Sequence, residues 1–213
     1  MRRRYSMEPT RKKLVIVGNA DLPKDYSEQI DAADFVLRFN EPRELNGWSG
    51  TRIDSLMMCN SGKPMQLKLW NTDFLESSFF RKTQQVTLVY HPDIMRTYFA
   101  QPKILSRIFK GRRVDWTKQA IEIFGRLGKD IVIKSPQFYL EACAEINITG
   151  SLLKKYFPST GYLGIWDCLR RFDLTVWDIY LCGFTWKGWK WHNWSVEEQW
   201  VRARVDEGKC RFL

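Results

Sequence analysis

PSTGYLGIWDCLRRFDLTVWDIYLCGF, residues 158–184, reads as a loop, a helix and a strand in succession. Pro158 holds the residue before it extended and stops any preceding helix. Ser159 and Thr160 are both good N-caps, and Gly161 permits a tight turn or a close approach of backbone to ligand. Leu163, Trp166 and Leu169 then recur at helical spacing, which predicts an amphipathic helix over residues 162–172. Residues 177–182 form a short apolar run bounded by Gly183, the pattern of a buried strand. The unpaired amides at such a helix N-terminus, with two hydroxyls beside them, suit an anion; a capped helix that binds nothing is the plainer alternative.

Outward from this stretch the chain alternates in the same way. Strands are expected at 14–17, 35–39, 53–59, 86–90 and 131–133, with helices at 27–33, within 64–82, across 93–127 and at 137–156. Ile104, Ile108, Ile121 and Phe124 are expected in the core. Strands alternating with helices predict one α/β domain, a Rossmann-like, mostly parallel twisted sheet with helices on both faces. Ligands in such sheets bind beyond the carboxyl ends of the strands. Asn19, Asn40, Asn60 and His91 fall at four successive strand ends. Each alone reads as a turn residue; together they point to a site, because a carboxamide both donates and accepts and tolerates left-handed backbone.

Composition sets the bounds. A chain of 213 residues with 44% apolar and 27% charged residues suits one sizeable globular domain, with residues 1–12 as a basic tail and 13–213 as the folded body. No run approaches the roughly 18 apolar residues of a membrane span, and the basic N-terminus lacks a signal-peptide core, so the cytoplasm is the expected compartment. Five cysteines without a CxxC pair fit reduced thiols, and with two histidines no structural zinc site is expected. The net charge of +10 gathers at Arg2, Arg3 and Arg4, at 11–13, at 110–113 and near Arg202 and Arg204. A nucleotide substrate, an anionic membrane surface met peripherally, and nucleic acid all suit such charge. No helix-turn-helix, zinc-finger or ribonucleoprotein motif favours nucleic acid. GxGxxG and GxxxxGK[ST] are both missing, which argues against the usual dinucleotide and P-loop sites. Asp31 and Asp34 read as surface or capping residues rather than a metal pair.

Four segments in order carry a resemblance. They are Val15-Ile-Val-Gly-Asn19 followed by Ile30-Asp31-Ala-Ala-Asp34-Phe-Val-Leu-Arg38-Phe-Asn40, then Gly50-Thr-Arg-Ile-Asp54 through Asn60-Ser61, then the opening Pro-Ser-Thr-Gly stretch, and finally His192-Asn-Trp-Ser-Val-Glu197. This set resembles the large, small and very small motifs of the eukaryotic-type sialyltransferases, glycosyltransferase family 29. It spans roughly half the chain, and residues 65–155 carry no match.

The resemblance implies a Rossmann-like transferase, a GT-A-like variant, that takes a CMP-activated sugar and needs no metal or other cofactor. By position, Asn19 and Asn40, with Asn60 near them, would contact the donor. Ser159, Thr160 and Gly161 would hold its nucleotide or sugar carboxylate, and His192 would be the general base. Glu197 would position the surrounding segment. A glycan or glycolipid would be the acceptor, with no nucleic acid partner. Trp186 and Trp189 would offer a stacking wall for a sugar or cytosine, whereas Trp194 and Trp200 read as core. An imidazole suits proton acceptance near neutrality. Ser195 is expected to cap the helix that follows His192.

Two departures qualify the resemblance. Lys13, and Val176 or Phe172, stand where animal members carry a bridging cysteine pair, so no disulfide is expected. The seven residues between Phe184 and His192 include no histidine, where the family has one for the donor phosphate; Lys187 or Lys190 is the substitute charge. A chain that kept the pocket and lost transfer, binding a nucleotide sugar only, is therefore the alternative, with a basic domain for nucleic acid or anionic surfaces behind it.

Overall fold

Among the described residues seven strands, all parallel, lie in the order β5-β4-β3-β2-β1-β6-β7. The computed structural model describes residues 11–213. In chain order the strands are β1 (Lys12–Val17), β2 (Phe35–Phe39), β3 (Ser55–Met58), β4 (Gln85–Leu88), β5 (Asp130–Ile133), β6 (Trp177–Cys182) and β7 (Arg211–Phe212). Of the expected basic tail, residues 1–10 lie outside the described residues. Arg11 is anchored on the Leu174 and Trp177 carbonyls and pairs with Asp178, so the chain enters the sheet beside β6.

The central strands are apolar without a break because both their faces are covered. In β1, Leu14 and Ile16 pack into one cluster, with Leu37, Tyr162 and Trp166, while Val15 and Val17 pack into another, with Ile30 and Val36. Met57 of β3 joins the first cluster, and its neighbours Leu56 and Met58 join a third, around Phe80 and Phe124. Successive residues of a strand point to opposite faces, so one sheet separates these clusters and helices close both sides. The edge strand β5 alternates between exposed and half-buried positions.

The predicted strands hold their places and shift only at their ends. Helix Thr160–Arg171 begins two residues earlier than expected, at the cap itself. The expected helix over 137–156 is instead helix Pro136–Glu145 and a 3-10 turn, Gly150–Lys154, separated by Asn147 in a left-handed conformation. Residues 64–82 split into three short helices, two of them capped by Asn71 and Ser77. Three core expectations fail: Ile104 and Ile108 are 72% and 69% exposed, and Ile121 is 42% exposed. Ile104 and Ile108 belong to helix Ile104–Lys110, which has no buried residue, and Ile121 lies on the outer side of helix Thr117–Arg126, whose Ala120 and Phe124 turn inward. The two-residue strand β7 carries too short a pattern to be read from sequence.

Arg38 of β2 is almost fully buried, yet its guanidinium donates to the carbonyls of Arg52, Ser49 and Gly50 and lies over the Phe79 ring. Burial pulls its pKa down to about 10, which leaves it charged at neutral pH. Asp31 and Asp34, expected as surface or capping residues, tie the same layer together. Asp31 accepts from the Thr51 and Arg52 amides, and Asp34 accepts from the Lys13 amide.

β1 and β6 meet past their last side chains at two glycines. A Cβ on Gly18 would lie 2.1 Å from the Gly183 carbonyl oxygen, and Gly183 holds φ +71°. The Gly18 amide donates to Cys182 and the Ala20 amide to Gly183, at 2.8 and 3.0 Å. Gly18→Ala should therefore destabilise the fold by about 2–3 kcal/mol, the upper range for forcing an extra carbon into packed structure. Urea unfolding checks this: a loss below about 0.5 kcal/mol would mean that the two strand ends part easily.

Candidate functional site

The order in which strands are added reverses between β1 and β6. From β1 the chain proceeds to β2 on one side, and from β6 it proceeds to β7 on the other, which leaves a crevice beyond their carboxyl ends. A cavity of about 330 Å³ occupies that crevice. Its walls are Gly18 to Ala20 after β1, Phe39 and Asn40 at the end of β2, Ser159 to Gly161, and Gly183 to Lys187 after β6, with His192 and Trp194 across the mouth. Asn19, Asn40, Ser159, Thr160, Gly161, Trp186 and His192, singled out in the sequence, converge here.

The three asparagines serve first as stitches. Asn19 donates its side-chain amide to the Phe39 carbonyl, linking the ends of β1 and β2. Asn40, at φ +51°, accepts from the Cys59 amide and so links β2 to β3. Asn60 binds both the amide and the carbonyl of Tyr90, and also donates to Thr117 Oγ1. Asn60 is fully buried and lines neither cavity at this face, which corrects its expected place at the donor site. Its carboxamide is fully engaged in closing β3 on β4. His91 is also accounted for: it caps helix Pro92–Tyr98 by accepting from the Asp93 amide.

Helix Thr160–Arg171 aims its N-terminus at the crevice. Ser159 caps it, accepting from the Tyr162 amide. The Ser159 hydroxyl in turn donates to Glu197 Oε2 at 2.6 Å, and the Ser159 amide donates to Glu197 Oε1 at 2.8 Å. The hydroxyl is thus already occupied, and the groups left to meet a ligand are the Thr160 and Gly161 amides and the Thr160 hydroxyl. Gly161 is needed for space, since a Cβ there would touch the Phe184 ring at 3.0 Å. Glu197 is fully buried in helix Trp194–Asp206, and burial pushes its pKa up to about 7 against the two Ser159 hydrogen bonds that lower it. That helix carries no side-chain N-cap. Ser195, expected to cap it, lies inside its first turn and reaches only the Asn193 side chain.

His192 is half-buried between the edges of Trp189 and Trp194. Its Nδ1 lies 2.5 Å from the Phe157 carbonyl oxygen. A carbonyl only accepts, so Nδ1 carries the proton and Nε2 keeps a lone pair. Burial lowers the imidazole pKa, partly offset by that carbonyl, and keeps the ring neutral at neutral pH. A second cavity of about 650 Å³ opens on the other side of the ring, walled by Tyr90, Phe99, Phe157 and Trp189 and edged by Lys63 and Lys68. Asn40, Thr160 and His192 belong to both cavities. Trp186 stacks on Phe184 at the first cavity, whereas Trp189 stacks on Phe157 at the second, so the expected tryptophan wall is divided between them. Trp200 and Trp194, both expected as core, are half-buried: Trp200 packs edge-on against Tyr162 at the margin of the core, and Trp194 stands at the mouth.

Sheet order, crevice and helix N-terminus define a sialyltransferase-like α/β fold. The chain superposes on two crystal structures of a mammalian sialyltransferase, one in complex with Gal-beta-1-3GalNAc-ortho-nitrophenol. The TM-scores are 0.58 and 0.57 at 18% identity, over 95% of this chain and 69% of the other. In sequence it is similar to the urease operon 23 kDa accessory protein of Rhizobium meliloti (strain 1021), with 29% identity over 94% of this chain and 92% of that one. No protein-family profile matches the sequence. Among the described residues no helix is long and apolar enough to cross a membrane, and all five cysteines are free thiols.

The Glu197–Ser159 contact has a pH signature. With its pKa raised from 4.5 to about 7, Glu197 favours the folded state below about pH 4.5 and loses that contribution as pH rises through about 7. The span is about 3 kcal/mol at most. His192, whose pKa is lowered, acts in the opposite sense: its contribution is present above its unfolded pKa and is lost as pH falls. Comparing Glu197→Gln with the parent protein by urea unfolding between pH 5 and 8 isolates the glutamate. The variant should gain stability relative to the parent as pH rises; an unchanged difference across that range would place the pKa of Glu197 near its ordinary value.

Proposed function

We propose that this chain is a glycosyltransferase that moves a sialic acid, or a related 2-keto sugar acid, from a CMP-activated donor to a glycan or glycolipid hydroxyl. The observation that carries the reading is a neutral imidazole, pinned through Nδ1, standing where two cavities meet. The donor would lie in the crevice between β1 and β6, with its phosphate toward the Thr160 and Gly161 amides and Lys187. Asn40 would offer its side-chain NH₂, and the Trp186 face would receive the base or sugar. The acceptor would enter from the aromatic cavity, where Trp189 and Phe157 suit the apolar face of a sugar.

His192 Nε2 would then take the proton of the acceptor hydroxyl as its oxygen bonds to the anomeric carbon. The bond from that carbon to the CMP oxygen breaks, and CMP leaves with the electron pair. The cavity lining contains no carboxylate that would hold a divalent ion, so we assign charge stabilisation to Lys187 and the helix N-terminus, without a metal or other cofactor.

A second reading has its own support. The sequence relative is named as an accessory protein of a urease operon, and no histidine stands between Phe184 and His192. Both features fit a chain that binds a nucleotide sugar without transferring it. Calorimetric titration with CMP, followed by a transfer screen over CMP-activated sugars, separates the readings: binding with turnover supports the first, and binding alone the second. Absence of CMP binding removes both and leaves the basic surface as the functional feature. His192→Ala should lower transfer by about 10²–10⁴-fold with CMP affinity nearly unchanged. Full activity in that variant would take the base role away from His192.

A further inference from the structure

A groove of about 1160 Å³ lies away from the β1–β6 crevice, along helix Gly62–Leu69 and residues 100–114. Its rim carries Lys63, Lys110, Arg112 and Arg113, with Trp70 beside them. Beyond the groove stands helix Ile104–Lys110, whose sequence is ILSRIFK. Ile104, Leu105, Ile108 and Phe109 are each at least 68% exposed. A seven-residue helix that buries nothing has little of its own to hold it, since short helices depend on packing of an apolar face.

The charge around this projection is of one sign. From residue 94 to residue 114 the chain has no Asp or Glu and six Lys or Arg: Arg96, Lys103, Arg107, Lys110, Arg112 and Arg113. Apart from Arg96, which pairs with Asp93, none of these has a carboxylate partner among the described residues. Lone cations would suit any polyanion, and lone apolar side chains any greasy partner. Projecting apolar side chains ringed by cations match a surface that is anionic outside and hydrocarbon beneath.

We propose that helix Ile104–Lys110 inserts into the headgroup region of an anionic lipid bilayer, with phosphate headgroups received by the cationic groove beside it. The groove shares Gly62 and Lys63 with the aromatic cavity at His192, so a bilayer seated there would lie against that cavity's entrance. The proposal needs no catalytic activity and stands independently of the transferase reading.

Flotation of the full chain with vesicles tests it, using phosphatidylcholine alone and a phosphatidylcholine–phosphatidylglycerol mixture. The protein should float with the mixed vesicles only. Two double variants, Ile108→Glu with Phe109→Glu and Arg112→Glu with Arg113→Glu, should each reduce binding by about tenfold or more. All four side chains are exposed, so thermal melts should match the parent. Arg202→Glu, at the far end of the sheet from this helix, controls for net charge and should keep binding. Failure of the parent protein to float overturns the proposal. Loss in the arginine variant alone also overturns it, because a polyanion of any kind would then suffice. A parent dimer that Phe109→Glu dissociates overturns it in favour of a second copy covering this face.

Discussion

The contact between Gly18 and Gly183 sets the geometry of the ligand face. Two adjacent parallel strands usually separate once their ladder ends, but here the backbones stay in touch for two residues more, with an amide donated at each step. That proximity fixes where Asn19 and Phe184 leave the sheet, and therefore the width of the crevice between them. Beyond it, the asparagine series carries the same logic sideways. Each strand end from β1 to β3 is fastened to the next by a carboxamide where no ladder hydrogen bond remains. A floor built this way is rigid, and rigidity is what a site that works by positioning requires.

The second constraint joins the two ends of the site. Glu197 reaches from helix Trp194–Asp206 to the cap of helix Thr160–Arg171, so the segment bearing His192 and the segment bearing Thr160 cannot drift apart without breaking two hydrogen bonds from one serine. Burial raises the carboxyl's pKa and the serine contacts lower it, and burial is the larger effect. The group is consequently poised near neutrality, where its charge state is set by small changes in its surroundings. The imidazole of His192, by contrast, is held neutral by burial.

Much of this was legible in the residues. Apolar runs in the centre of the sheet and polar residues at their ends gave the architecture and located the crevice, because covered strands must be apolar and ligand faces must not be. The Ser-Thr-Gly loop read from its residues as a helix start, and it was the resemblance of the ordered segments to a known family that singled out both it and His192 as site residues. What residue type could not reveal was the use to which a polar group is put. Asn60 and Asn19 look alike in sequence, yet Asn60 is sealed inside by Tyr90 and Thr117. Ser159 looked like a ligand contact, and its hydroxyl is occupied by a glutamate 38 residues away. Ile104 and Ile108 looked like core because helical spacing of apolar residues ordinarily means burial, and nothing in the pattern says that no element arrives to cover them.

Phe157 does for the loop above what the asparagines do for the floor beneath it. Its carbonyl receives His192, its amide donates to Trp191, and its ring stacks on Trp189, so one residue moors the loop that carries the imidazole. The remaining residues of that loop have few ties to the sheet. Selection can therefore rewrite them, lengthening the loop or exchanging its aromatic and cationic side chains, without disturbing a stitched strand end. Chains with this frame are free to diverge in what they recognise far faster than in how they fold.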